Sequence, residues 1–292
     1  MQTQNRFLPV AILTLLSLIW GTSFILIKQG LKSFSPDEVG ALRVTAASFF
    51  LLPLALTRLK TLRKGDYPML FLAGLLGTFI PAFLFANAQT RISSSVTGIM
   101  NSLSPLFTVL MGAAFFGQRV KGFALLGIIV AFAGSIVLLL SSSGWQISGI
   151  NSYALLIVLA CALYGFNLNF IKYRITGMHP VTLTAVALVL VGPLAAGYLF
   201  GVSDFTEKLT TVDGAWRSMA FIVLLALMST AIATVLFTYL VQMTSPLFAS
   251  SVTYLMPVVS VLWGMIDSEQ LFVGHFAGMA MILGGVWVAN RR

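Results

Sequence analysis

Runs of about twenty apolar residues, separated by short polar turns, follow one another along almost the whole chain. An α-helix rises 1.5 Å per residue, so roughly 20 such residues cross about 30 Å of hydrocarbon. The spacing predicts spans at 9–27, 38–57, 68–87, 96–116, 122–140, 153–171, 180–200, 217–240, 248–266 and 274–290. Only short turns and the 201–216 loop remain, which leaves no soluble domain. Charge agrees: 9% of the 292 residues are charged and 58% are hydrophobic, whereas a soluble surface calls for about a quarter charged. The expected fold is therefore an all-α integral membrane protein of ten transmembrane helices.

The net charge of +9 does not point to nucleic acid, because the basic residues punctuate apolar runs instead of forming one face. Arg58, Lys60, Arg63 and Lys64 between the second and third runs show the pattern. Cytoplasmic loops hold the excess of Lys and Arg. With the N-terminus inside, the inner side holds Arg6, Arg58, Lys60, Arg63, Lys64, Arg119, Lys121, Lys172, Arg174, Arg291 and Arg292. The outer side holds Lys28, Lys32, Arg91, Lys208 and Arg217, a ratio of eleven to five. Both termini are thus expected in the cytoplasm, with the chain multi-pass in the cytoplasmic (inner) membrane. The first run follows Arg6 but lacks a small-x-small cleavage site, so it reads as a retained span. The single cysteine, Cys161, excludes an internal disulfide.

The chain repeats itself. An offset of 144 aligns Trp20-Gly21 with Tyr164-Gly165, Lys28 with Lys172 and Pro36 with Pro180. An offset of 152 aligns Phe85 with Phe237, Leu103 with Leu255, Pro105 with Pro257 and Gly112 with Gly264. One residue less pairs Gly127 with Gly278 and Gly134 with Gly285. Two repeats are expected, 1–144 and 145–292, each of five spans. An odd span number makes the second enter from the opposite side, so the repeats are inverted. Inverted repeats put an approximate two-fold axis in the membrane plane and substrate sites near the midplane.

Three features resemble the EamA family of the drug/metabolite transporter superfamily. They are Trp20-Gly21-Thr22-Ser23-Phe24 followed by Arg43; Ser93-Ser94-Ser95-Val96-Thr97-Gly98 leading to Pro105 and Gly117-Gln118-Arg119; and Ser250 and Ser251 leading to Pro257 and Ser268-Glu269. The family usually carries a glutamate after each proline-containing span; here Glu269 is kept and Gln118 replaces the first. The resemblance implies ten helices, cytoplasmic termini and export of amino acids or other small metabolites.

Function is therefore expected to be secondary transport by alternating access, not enzymatic. The alternatives are a membrane-embedded enzyme or a multidrug/cation exporter. The two histidines, His179 and His275, fall on opposite sides and cannot form one site. No carboxylate lies near a span centre to exchange a proton for a cationic drug. No nucleotide-binding loop, cofactor motif or metal cluster is present in the sequence. The partners expected are a small-molecule substrate and the lipid bilayer; a monomer fits this reading.

Candidate substrate-binding residues are Trp20, Arg43, Asn101, Tyr164, Tyr239 and Tyr254. Trp20 and Tyr164 are repeat partners in mid-span, where such residues are less expected than at the interfaces. Two readings stand for Arg43: snorkelling to the headgroups, or facing a cavity. Lys28 and Lys172 read as snorkelling anchors. Pro105 and Pro257 free the carbonyls of Asn101 and Thr253, as static kinks or as paired hinges. The stripe Gly127, Ala131, Gly134, echoed by Gly278 and Gly285, reads as close helix packing.

Overall fold

The computed structural model describes residues 7–60, 62–118, 122–142, 144–145, 151–244, 249 and 252–289. Arg6, Arg119, Lys121, Ser250, Ser251, Arg291, Arg292 and the side chain of Tyr254 lie outside what is described. The described chain is helical: α1 (Phe7–Gly30), α2 (Pro36–Leu59), α3 (Asp66–Ala88), α4 (Ser94–Phe116), α5 (Gly122–Ser142), α6 (Ala154–Arg174), α7 (Pro180–Gly201) and a short α8 (Phe205–Thr211). Then follow α9, running through Ala215–Leu225, Ala226–Ile232 and Ala233–Met243, α10 (Val252–Ile266) and α11 (Val273–Ala289). Helices α1, α2, α3, α4, α6, α7 and α9 are long and apolar enough to cross a membrane; α5, α10 and α11 carry shorter apolar stretches.

Local chemistry sets the ends. Ser35 accepts from the Glu38 N–H while Glu38 accepts from the Ser35 N–H, a reciprocal cap ahead of Pro36. Ser93 caps α4 through the Val96 N–H, and Gly117 ends it in the left-handed region at φ 66°. The outward faces are apolar: Phe49, Phe115, Phe123, Leu155 and Ile266 are all largely exposed. That inversion of the usual surface suits lipid as solvent.

Glycines set the closest approaches. A Cβ on Gly134 would lie 2.8 Å from the Gly278 carbonyl oxygen, and one on Gly278 would lie 2.7 Å from that of Gly134. Gly285 meets the Gly127 carbonyl in the same way at 2.6 Å. The small stripes thus bring α5 and α11 backbone to backbone, as packing elements. Gly165 rests on the backbone of Phe107 and Thr108 in α4, and Gly21 rests on Val259 and Met256 in α10.

The 201–216 loop is not plain loop. It contains α8, held down by buried Phe205 against Phe34 (centroids 5.1 Å) and Phe200 (5.9 Å). Lys208 of α8 donates to both oxygens of Glu38, at 2.9 and 2.8 Å.

Candidate functional site

Among the described residues two helices carry π-helical turns at matching places. In α3, Leu75–Phe79 is a π-helical turn, and in α9 Ala226–Ile232 is another. The 152-residue offset carries the first onto the second. Such turns widen the helix and are often found at functional sites. Here they flank a cavity of about 250 Å³ that runs between α1, α2, α3, α4, α6, α7, α9 and α10.

Matching residues make matching contacts across the cavity. Trp20 of α1 packs edge-on against Phe237 of α9 with centroids 5.1 Å apart. Its repeat partner Tyr164 of α6 stacks on Phe85 of α3 at 6.0 Å. The glycine that follows each aromatic turns the opposite way, towards Val259 for Gly21 and Phe107 for Gly165. The aromatic–glycine pair therefore serves two neighbours: the ring faces the cavity, and the missing Cβ admits the next helix. Trp20 is fixed further by its Nε1–H, which donates to the Ser229 carbonyl within the π turn at 3.0 Å. The hydroxyl of Ser23 donates to that of Ser229 at 2.7 Å.

Arg43, Asn101, Pro105 and Thr253 also line the cavity. Arg43 does not snorkel; its Nε–H donates to Thr230 Oγ1 at 2.9 Å, again on the α9 π turn. The carbonyls freed by the prolines are both taken: Ser104 Oγ donates to Asn101 O at 2.8 Å, and Ser102 Oγ to Thr253 O at 3.0 Å. Pro257 is buried but is not part of the wall. Tyr239 is outside the wall too, with its hydroxyl 3.2 Å from His179 Nε2 at one end of the bundle. The sequence did not single out Asn167, Ser229 or Thr230 for the wall; Ser229 and Thr230 sit on a π turn that no apolar period reveals.

The cavity is not alike at its two ends. On the side of Lys28 it stops at buried Phe24, Ile27 and Phe85. Beyond them a polar clasp ties α1, α4 and α10 together. Glu269 accepts from the N–H and hydroxyl of both Ser94 and Ser95. Lys28 Nζ lies 2.8 Å from Glu269 Oε1 and 2.6 Å from Asp267 Oδ2. Lys28 is therefore an ion-pair partner, not the snorkelling anchor expected, because the α10–α11 turn brings two carboxylates within its reach. Burial alone would push the Glu269 carboxyl up, but the Lys28 ammonium and the serine donors hold it down at about 2.

At the opposite end the wall reaches half-buried Ile171, Thr238 and Val241 near the helix ends. Gln118, which corresponds to Glu269, makes no such clasp; its Nε2 donates to Asn169 Oδ1 at 2.8 Å and to the Tyr173 hydroxyl at 2.9 Å. Lys172, the counterpart of Lys28, lies over the Tyr173 ring at 5.0 Å. Among the described residues the wall ends on buried side chains towards Lys28 and on half-buried ones towards His179.

Apolar helices with lipid-type surfaces around a mostly apolar cavity that holds a few polar groups define a multi-pass membrane protein with an internal binding space. The chain belongs to the EamA-like transporter family, whose model matches residues 8–140 and again 151–291. It is 28% identical over 284 residues to a transporter of Archaeoglobus fulgidus named as uncharacterized, covering 96% of this chain and 98% of that one. It is 30% identical over 258 residues to the inner membrane transporter YedA of Escherichia coli K12, likewise named as uncharacterized, covering 85% and 79%. A protein of Streptantibioticus cattleyicolor named as a probable terminal-alkyne amino-acid exporter is 26% identical over 290 residues, covering 96% and 92%. One crystal structure shares the fold with a TM-score of 0.62 at 22% identity, over 98% of this chain and 97% of that one.

Proposed function

We propose that this chain is a secondary exporter of amino acids or similar small metabolites across the cytoplasmic membrane. In this reading ten spans form two inverted five-helix repeats, 1–144 and 145–292, and no chemistry is catalysed. The observation that carries the proposal is the pair of aromatic contacts, Trp20 on Phe237 and Tyr164 on Phe85. Each joins an aromatic of one repeat to a phenylalanine of the other, and both border one cavity. A two-fold axis through that cavity is what alternating access needs. The printed name of the Streptantibioticus relative supports an amino acid as cargo.

In this reading the His179 end is the open one, and the bias of the basic loops supports placing it in the cytoplasm with the Lys28 clasp outside. The conformation is then inward-facing, with cargo entering from the cell. Opening outward requires the Glu269 clasp to part and the Gln118 end to close. Gln118 lacks the charge of Glu269, so the second closure is the weaker, and the resting preference is inward-facing. The test is counterflow of radiolabelled amino acids in proteoliposomes preloaded with unlabelled ones. Accumulation of label above that in protein-free vesicles is expected, and its absence for the twenty amino acids and their simple amines removes the exporter reading.

A further inference from the structure

The two-fold relation between the repeats is broken inside the cavity, and two of the breaks change its chemistry most. The 144-residue offset carries Arg43 onto Ala187 and Ser23 onto Asn167, and all four residues line the cavity. Other wall pairs match in kind, Trp20 with Tyr164, Phe85 with Phe237 and Thr78 with Thr230, while Gly77 with Ser229 and Ser104 with Met256 differ without a charge or an amide. The repeats therefore place one cation on one side of the axis and one primary amide on the other.

Arg43 has no counterion among the described residues. The chain has eight acidic residues, all of them described: Asp37, Glu38, Asp66, Asp204, Glu207, Asp213, Asp267 and Glu269. They sit in turns or in the first turn of a helix, and the ion pairs formed involve Lys28 and Lys208, not Arg43. No other ionised side chain lines the cavity wall among the described residues. Thr230 takes the Nε–H at 2.9 Å. That bond fixes the guanidinium plane and leaves the two terminal nitrogens for something else. An unpaired cation at membrane depth is costly, and a planar guanidinium fork matches a carboxylate. Asn167 is the complementary anomaly: its Oδ1 is buried without a hydrogen-bond partner. A Cβ at Gly77 would run into its Nδ2, so the π turn of α3 makes room for this amide.

We infer that the cargo is a carboxylate-bearing molecule, anchored by its carboxylate on Arg43, with Thr230 as positioning residue and the Asn167 amide receiving the amine of a zwitterion. This rests on the exporter reading and narrows it: a cation without a carboxylate meets an uncompensated like charge, and an ester loses the paired hydrogen bonds.

The experiment measures thermal unfolding of the purified full-length protein against each of the twenty amino acids. The strongest binder is then matched with its methyl ester and its decarboxylated amine. The expected result is stabilisation by the amino acid at concentrations about tenfold or more below those needed for the ester or amine. Arg43→Gln should abolish the discrimination. Thr230→Val, which keeps the guanidinium but frees its plane, should weaken binding by about threefold to tenfold while still preferring the carboxylate. Should Arg43→Gln fail to fold, Arg43→Lys takes its place, with the preference for the carboxylate kept and affinity lowered. Equal stabilisation by ester and amine overturns the inference; if those compounds also exchange in counterflow, the exporter reading survives it. No stabilisation by any amino acid overturns the inference as well, and absent counterflow for all compounds then removes the exporter reading with it.

Discussion

Glu269 and Lys28 meet at 2.8 Å across the sealed end of the cavity, although 241 residues separate them in the chain. The carboxylate also takes four donors from Ser94 and Ser95, so it caps the start of α4 while holding α1. Substituting Glu269→Gln keeps the size but removes the charge and one acceptor. Loss of charge-assisted bonds at such a half-screened site costs on the order of 1–3 kcal/mol. On the proposed orientation this end faces outward and should loosen: Ile27→Cys in a Cys161→Ala background should react with an outside, membrane-impermeant maleimide several times faster when Glu269→Gln is added. Equal rates would remove the clasp from gating.

The same carboxylate gives a pH signature. Its folded value of about 2 lies below the ordinary 4.5, so its contribution is fully present above about pH 4.5. It is lost as pH falls towards 2. The difference in thermal midpoint between the wild type and Glu269→Gln should therefore be constant from pH 7 to 5 and shrink below 4.5. A difference that shrinks between pH 7 and 5 would mean another group carries the clasp.

Ser268, just before Glu269, sits at φ 58°, where its counterpart Gly117 sits at φ 66°. A residue with a Cβ there costs roughly 1 kcal/mol relative to glycine. Ser268→Gly should raise the thermal midpoint slightly and leave transport unchanged. A lowered midpoint would show that the serine side chain matters more than its backbone.

Two glycines of α11 separate packing from propensity. A Cβ at Gly278 would meet the Gly134 carbonyl at 2.7 Å and Leu138 at 2.9 Å, whereas nothing lies within 4 Å at Gly284. Gly278→Ala should destabilise by about 1–3 kcal/mol. Gly284→Ala should be neutral or mildly stabilising. Unfolding in detergent compares them directly, and equal effects would contradict the close approach of α5 and α11.

Much of this was legible because lipid leaves a coarse imprint. Apolar runs gave the helices within a few residues, and the repeat offsets that align Trp20 with Tyr164 also align the contacts they make. The Gly127–Gly134 stripe read as packing and packs. The rest depended on tertiary neighbours. Lys28 at a helix end has the pattern of a snorkelling residue, and only the fold brings Asp267 and Glu269 to it. Tyr239 has the composition of a cavity residue, but its position on α9 turns it to His179. The π turns lie against Asn167 and Arg43, and periodicity in so apolar a helix carries no trace of them. The pairing of Glu38 with Lys208 was equally invisible, since Glu38 opens the second predicted span and Lys208 lies in the distant 201–216 loop.

The central claim is that the cavity walled by Trp20 and Tyr164 is the transport site and opens first to the cytoplasm. Trp20→Ala and Tyr164→Ala should each raise the substrate concentration for half-maximal counterflow by about tenfold, as loss of a cavity-wall aromatic entails. The direct measurement uses Thr108→Cys, on the cavity wall, in the Cys161→Ala background. In inverted membrane vesicles an impermeant maleimide should label it readily, and saturating transported amino acid should slow that labelling. In right-side-out vesicles labelling should be slow until Glu269→Gln is introduced. Fast labelling from the outer side alone, or none from either side, would contradict the account.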